Sequence, residues 1–120
     1  MALTSDRGAD RLQGQLPDTT EIVSLGRPLR FTGDEIVGSL RARGHRRILC
    51  EAGPHTFGTL LRARVVDELF LTRSPLLAGD AGPGSRLRLV EAADLLPPVE
   101  AALTSLRRHG DHLFARHAIR

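Results

Sequence analysis

The fold is decided by one stretch of the chain, Ile48-Leu49-Cys50-Glu51-Ala52-Gly53-Pro54-His55-Thr56-Phe57-Gly58. The apolar run in residues 47–51 predicts a short buried strand that ends at an acid. Pro54 suits the first turn of a helix, where its missing N–H needs no partner. The segment 55–64 then predicts a helix. A strand, a turn of small residues and a helix in this order are typical of α/β proteins, in which ligands bind at the carboxyl ends of strands.

The residues that follow this stretch predict further strands. Residues 68–72 read as a strand, and a helix between two strands indicates a crossover connection with parallel pairing. Residues 78–85 hold three glycines and a proline and predict a loop. Residues 86–90 alternate as a strand. Residues 102–108 and 112–119, on either side of His109-Gly110-Asp111, predict a C-terminal β-hairpin.

The residues before the stretch predict two helices and two strands. Residues 2–4 and 21–25 read as strands, and residues 8–16 as a helix capped by Ser5 or Asp6. Thr32 with Glu35 three residues later forms a capping-box pattern before a second helix, which Gly44 ends. We therefore expect one domain over residues 1–120, of class α/β, with one mixed sheet, helices on its faces and a C-terminal antiparallel hairpin.

Composition excludes several classes of protein. The 120 residues are 41% hydrophobic and 26% charged, as expected for one small globular domain. The longest apolar runs are too short for a membrane-spanning helix or a signal peptide, so we expect a cytoplasmic protein without a membrane partner. Cys50 has no second cysteine to pair with and is interpreted as a small buried hydrophobe. His109, His112 and His117 lack the usual spacing of metal ligands, so we expect no metal site.

Charge alone gives little support for a nucleic-acid partner. All 17 basic residues are arginine, the net charge is only +3, and acids are interspersed with the bases. Proteins that bind nucleic acids usually concentrate basic residues in a patch and add aromatic side chains on which bases stack. Here four phenylalanines are the only aromatic residues besides histidine. We therefore expect no nucleic-acid partner.

The turn between residues 51 and 56 is the best candidate for a ligand site. A helix N-terminus presents backbone N–H groups and a partial positive charge, which suit a phosphate. Ala52 and Gly53 leave space for a ligand near the backbone, and Thr56 adds a hydroxyl donor. The turn has neither the G-x-G-x-x-G pattern of a Rossmann fold nor the GK[ST] of a P-loop. Spacing alone leaves both interpretations open, since many similar turns bind nothing.

Two blocks of sequence resemble the C-terminal reductase domain of the bifunctional riboflavin-biosynthesis deaminase-reductase. The family has a strand ending in Glu-Gly-Gly-Pro, matched by Glu51-Ala52-Gly53-Pro54, and after a helix a strand of the type V-D-E-L-x-L-T-x-x-P. The second block matches the ten residues Val66-Asp67-Glu68-Leu69-Phe70-Leu71-Thr72-Arg73-Ser74-Pro75. The family's final Leu-Phe-x-Arg strand is similar to residues 113–116. The resemblance extends over most of the chain.

The resemblance implies an oxidoreductase with a dihydrofolate-reductase-like fold. Such an enzyme uses NADPH to reduce the ribosyl group of a 5-amino-6-(phosphoribosylamino)uracil-type pyrimidine ribonucleotide, by hydride delivery to the sugar C1 carbon. By position, Glu51 would contact the substrate, and Thr4 is a weaker candidate for cofactor contact. The cofactor's phosphates would lie at the residues from Gly53 to Thr59, namely Gly53, Pro54, His55, Thr56, Phe57, Gly58 and Thr59. The family is commonly homodimeric.

The chain departs from the family's pattern in three ways. Ala52 replaces the first glycine of the turn, and His55 replaces a threonine or serine. A complete domain of this family also begins with further strands, one of them carrying an Asp-Gly motif, so we expect a partial reductase domain. The alternative is a non-catalytic α/β remnant whose exposed sheet edge associates with itself or with another chain.

Overall fold

The computed structural model describes residues 1–27, 30–77 and 88–120. Its helices and strands, in chain order, are β1 (Ala2–Thr4), α1 (Asp6–Leu12), β2 (Ile22–Ser24), α2 (Gly33–Ala42), α3 (Pro54–Arg62), β3 (Glu68–Arg73), β4 (Ala101–His109) and β5 (His112–Ile119). The chain divides into two compact units, residues 1–49 and 50–120. None of the described helices is long and apolar enough to cross a membrane.

The first unit is built on a parallel pair of strands. β1 and β2 pair in register, with Leu3 opposite the buried Val23. Ser5 caps α1 by accepting a hydrogen bond from the Gly8 N–H at 3.2 Å, which decides between the two predicted caps. Gly8 packs on β1 so closely that a Cβ at that position would lie 1.9 Å from Thr4 Oγ1. α1 ends at Leu12, earlier than predicted, and Gly14 continues the chain at a φ of +74°.

The second helix of this unit follows the predicted capping box. Thr32 Oγ1 accepts from the Glu35 N–H at 3.2 Å, and a Glu35 carboxylate oxygen accepts from the Thr32 N–H at 2.7 Å. These bonds satisfy donors that the first turn of a helix leaves unpaired. Val37 is buried on the inner face of α2, and Gly44 follows its end at a φ of +87°. The prediction for this helix is confirmed.

The second unit contains a three-stranded antiparallel sheet in the order β3–β5–β4. The predicted hairpin forms from β4 and β5, with Gly110 at a φ of +56° in its turn. A bulge at Thr104, between Leu103 and Ser105, shifts the register of β4 against β5. The buried core of this unit includes Leu60 and Leu61 of α3.

The end of α3 is fixed by an arginine in a left-handed conformation. Arg64 has a φ of 56°. Its guanidinium donates to the carbonyl of Arg120 at 3.2 Å and to that of Pro97 at 3.3 Å. The same side chain therefore joins the helix end to two distant segments of the unit.

The predicted buried strand at residues 47–51 does not form. These residues have no strand assignment and are exposed, with Leu49 at 79% and the Cys50 thiol accessible. The predicted parallel pairing with residues 68–72 is wrong as well, because residues 47–51 form no strand; β3 pairs antiparallel with β5. An apolar run indicates that a segment could form a buried strand. Whether the strand forms depends on pairing with segments far away in the sequence, which the run itself does not specify.

Two further expectations change. Residues 88–90 are not a strand, while residues 86–87 and the predicted loop at 78–85 lie outside the described residues. The described residues form two sheets, one parallel and one antiparallel, in place of one mixed sheet. The predicted class, α/β with both kinds of strand pairing and a C-terminal antiparallel hairpin, is confirmed.

Candidate functional site

The N-terminus of α3 provides backbone donors without a side-chain cap. Gly53 is the N-cap in an extended conformation, with φ −67° and ψ 175°, and Pro54 occupies the first turn. Among the described residues, no side chain caps this end of the helix. The ladder of helical hydrogen bonds starts with the Phe57 N–H, which donates to the Gly53 carbonyl at 3.1 Å. The N–H groups of His55 and Thr56 therefore precede the ladder, where a helix favours an anion.

The approach to this turn is uncrowded. A Cβ added at Gly53 would meet no atom of the described residues within 4 Å. Ala52, Gly53, His55 and Thr56 are all exposed. The turn thus presents main-chain donors, a hydroxyl and an imidazole to a ligand arriving from solvent.

The opposite face of the same helix is used for packing. Gly58 is buried, and a Cβ there would lie 2.5 Å from the Glu91 carbonyl oxygen. The Glu91 N–H in turn donates to the Pro54 carbonyl at 3.2 Å. Gly58 therefore allows the backbone near Glu91 to approach the helix closely.

Phe57 and Thr59 are half-buried. Thr59 Oγ1 donates to the His55 carbonyl one turn earlier, at 3.1 Å, which stabilises the first turn of the helix from within. Phe57 lies on the same side of α3 as the buried Leu60 and Leu61, since residues three and four apart share one face of a helix. The predicted stretch thus divides by position: Gly53, His55 and Thr56 are open to a ligand, and the later residues support them.

Glu51 lies two residues before Gly53 in the same unit, and it is exposed. Its carboxylate is available as a hydrogen-bond acceptor beside the turn. Thr4 belongs to the other unit, where its carbonyl accepts from the Leu25 N–H at 2.8 Å.

The structure adds one segment that sequence patterns did not reveal. Residues 91–93 lie along α3, where Arg62 donates to the Ala92 carbonyl and Glu91 Oε1 accepts from the Arg88 N–H at 2.8 Å. Alternating polarity in residues 86–90 predicted a strand instead, and no local signal indicates a contact with a helix thirty residues earlier. This segment positions the N-terminal turn of α3 through Pro54.

A metal centre has no basis in the part of the chain that the structure describes. No group of three or more histidine, cysteine, aspartate or glutamate side chains there is arranged to hold an ion. The groups of this turn that can contact a ligand are backbone N–H donors, the Thr56 hydroxyl, the His55 imidazole and the Glu51 carboxylate.

Comparison with protein families gives a match over most of the chain. Residues 3–110 match the family described as the RibD C-terminal domain. The matched region contains the whole α3 turn as well as β3. No curated protein matches the chain at a significant level.

Proposed function

The chain belongs to the RibD C-terminal domain family, and from this membership we propose that it binds NADPH and serves the reduction of a phosphoribosylamino-pyrimidine. The family is the reductase domain of riboflavin biosynthesis, with a mixed α/β, dihydrofolate-reductase-like fold. The observation that carries the proposal is the uncapped and uncrowded N-terminus of α3, which lies inside the matched region.

The residues of the turn fit the phosphates of a dinucleotide. The backbone N–H groups of His55 and Thr56 and the Thr56 hydroxyl are donors, and a phosphate oxygen accepts such bonds at a helix N-terminus. His55 adds a positive charge when it is protonated. Gly53 keeps the backbone accessible because no Cβ stands between it and the ligand.

The reduction itself would use the hydride that bound NADPH supplies. The protein's part is to orient the two reactants and to exclude competing reactions. Glu51 is exposed beside the turn, and its carboxylate accepts hydrogen bonds from hydroxyl or amino groups of the sugar and pyrimidine. We assign Glu51 to substrate binding on this basis.

Calorimetric titration of the chain with NADPH tests the proposal. Thr56→Val removes a hydroxyl while keeping the shape of the side chain, and loss of one hydrogen bond to a charged group weakens binding by roughly tenfold or more. Gly53→Ala is expected to weaken binding as well, while leaving the melting temperature unchanged because the methyl group meets no atom of the described residues within 4 Å beyond its chain neighbours.

Gly38→Ala provides the matched control, since it also adds a methyl group in open space, in α2 of the other unit. It should leave NADPH affinity unchanged. Failure of the chain to bind NADPH, or equal affinities for wild type, Thr56→Val and Gly53→Ala, would reject the proposed site. Consumption of NADPH with the pyrimidine substrate then measures whether the chain is catalytically competent.

A second candidate function is self-association, favoured by an apolar face of the sheet in the second unit. Leu71 and Leu106 flank Ala115 on one rung, and Leu103 lies beside His117 on the same side. We name Leu71, Leu103 and Leu106 the leucine face; their exposed fractions are 40%, 56% and 56%. Exposed contiguous apolar surface of this kind favours association.

We propose that the leucine face contributes to a homodimer. Sedimentation velocity over a range of concentrations should show a dimer, and Leu106→Glu should convert it to a monomer. Arg107→Glu, one residue further along β4 on the opposite face, is the matched control and should leave the dimer intact. A wild-type chain that stays monomeric at all concentrations contradicts the proposal.

A further inference from the structure

The second face of the same sheet combines aromatic and basic side chains. Because side chains alternate along a strand, residues paired in register point to the same side. Phe70, Arg116 and Ser105 form one rung of this face, and Thr72, Phe114 and Arg107 form the next. We name Phe70, Phe114, Arg107 and Arg116 the aromatic face.

The two phenylalanine rings of this face are open to solvent. Phe70 is 65% exposed and Phe114 is 44% exposed. An antiparallel sheet with one face toward the core normally turns polar residues to the other side. Two exposed rings on neighbouring strands, at successive rungs of the same face, are therefore the unusual feature of this unit.

An arginine accompanies one ring and a histidine the other. The Arg116 guanidinium carbon lies 5.6 Å from the centre of the Phe70 ring, and it also pairs with Glu68. The His112 ring stacks against Phe114, with centroids 6.4 Å apart and 26° between the planes. Contacts of this kind hold the rings in place on the sheet surface.

The charge of the aromatic face is positive. Within β3, β4 and β5, Glu68 is the only acidic residue, and it lies at one end beside Arg116. Asp111, in the hairpin turn, pairs with Arg108 at 3.6 Å. Arg107 has no ion-pair partner among the described residues. Arg107 therefore presents its charge to a ligand.

We propose that the aromatic face binds single-stranded nucleic acid. Bases of any kind stack on exposed aromatic rings, and Arg107, which lies beside Phe114 in register, is placed to meet a phosphate. Phe70 and Phe114 are diagonal neighbours on adjacent strands, a spacing of about 7–8 Å between Cα atoms. Neighbouring rings at this spacing suit consecutive unstacked bases of one strand. The composition of the whole chain did not indicate this, because pairing in the sheet is what brings two of its four phenylalanines beside these arginines.

A second copy of the chain is a poorer occupant of this face. A symmetric contact would bring two faces of the same net positive charge together, and like charges in a desolvated contact oppose association. A phosphodiester backbone complements the same charges. The inference is independent of the proposed reductase function, because it uses no residue of the α3 turn.

Fluorescence anisotropy with a labelled oligouridine tests the proposal. An oligouridine of roughly ten nucleotides is within the range of lengths that single-strand binding folds cover. The double variant Phe70→Leu/Phe114→Leu keeps apolar side chains but removes both stacking surfaces. We expect its affinity for the oligouridine to fall about tenfold or more. Arg107→Gln should weaken binding and lower the slope of log affinity against log salt by about 0.7.

A control variant on the other face of the sheet distinguishes binding at this site from nonspecific attraction between the oligonucleotide and the arginines of the chain. Arg73→Gln changes a β3 arginine that pairs in register with Leu113, on the leucine-face side, and it should leave oligouridine affinity nearly unchanged. Circular dichroism and melting temperature establish that each variant folds. Absence of oligouridine binding by the wild type overturns the proposal. Oligouridine binding that survives Phe70→Leu/Phe114→Leu also overturns it. So does heparin binding that is as tight as oligouridine binding and is unchanged in the same double variant. Either result would mean that the chain attracts polyanions in general.

Discussion

Gly58 lies directly against the main chain of Glu91, so that a Cβ at position 58 would stand 2.5 Å from the Glu91 carbonyl oxygen. The same Cβ would also come within 3.0 Å of the Ala93 Cβ. The helix that carries the candidate site is therefore held in place by a contact that only glycine permits.

Gly58→Ala should destabilise the chain. The added methyl group forces α3 and the backbone at Glu91 apart, and overpacking of this kind costs about 1–3 kcal/mol. Urea denaturation measures the change in the free energy of unfolding. Gly38→Ala is the control, because its methyl group in α2 meets no other described residue within 4 Å and should stabilise the chain by about 0.5–1 kcal/mol. Equal stability of Gly58→Ala and wild type would contradict the close packing of Gly58 on Glu91.

The capping box at Thr32 should be visible in a pH titration. Two hydrogen bonds to the Glu35 carboxylate lower its pKa below the ordinary value. The larger effect comes from the Thr32 backbone N–H and the smaller one from the Thr32 hydroxyl. Stability from this contact is present above the carboxyl's unfolded pKa and is lost as pH falls through the lowered folded pKa. NMR titration of the Glu35 side chain should show the lowered midpoint in the wild type.

Thr32→Ala removes the hydroxyl from this box and should raise the Glu35 midpoint toward its ordinary value. The same variant should lose about 1 kcal/mol of stability at neutral pH, the usual cost of removing an N-cap side chain. Thr32→Ser keeps the hydroxyl and is the control. An unchanged Glu35 midpoint in Thr32→Ala would show that the side chain does not take part.

Two substitutions at position 64 test the left-handed backbone conformation of Arg64. Arg64→Ala and Arg64→Gly both remove the hydrogen bonds to the carbonyls of Pro97 and Arg120. Only glycine adopts the φ of 56° without strain, so Arg64→Ala should be less stable than Arg64→Gly by about 1 kcal/mol. Thermal denaturation of both proteins measures the difference. The reverse order of stability would mean that the chain does not hold the left-handed conformation at this position.

Cys50 should react as an accessible thiol. The structure places it in an exposed segment, whereas the apolar run in the sequence predicts a buried side chain. Its reaction with an aromatic disulfide reagent should proceed at a similar rate in the native chain and in denaturant. A native rate far below the denatured rate would indicate that residues 47–51 are buried as the sequence pattern predicts.

The sequence predicted helix starts and turns correctly where the residues that specify them are close together in the chain. Thr32 and Glu35 specify the start of α2, Pro54 specifies the start of α3, and Gly110 suits the hairpin turn. Each of these depends on capping or on a backbone conformation, which the neighbouring residues fix. The position of the candidate turn at the start of α3 followed from the same signals.

Pairing between distant segments was not predictable in the same way. Residues 47–51 have the composition of a strand, yet Leu49 is 79% exposed and β3 pairs with β5 instead. The contact of Gly58 with Glu91 joins residues that no local pattern connects. Such contacts depend on the packing of the whole unit, which propensity alone does not encode.

The order of the strands in the second unit has a consequence for synthesis of the chain. β5 is the central strand and pairs with both β3 and β4, yet it comes last of the three in the sequence. Until residues 112–119 have emerged from the ribosome, β3 has no partner and β4 has no hairpin to close. The sheet therefore forms only after β5 has been synthesised, and the nascent chain carries β3 and β4 unpaired, with their leucines exposed, until then.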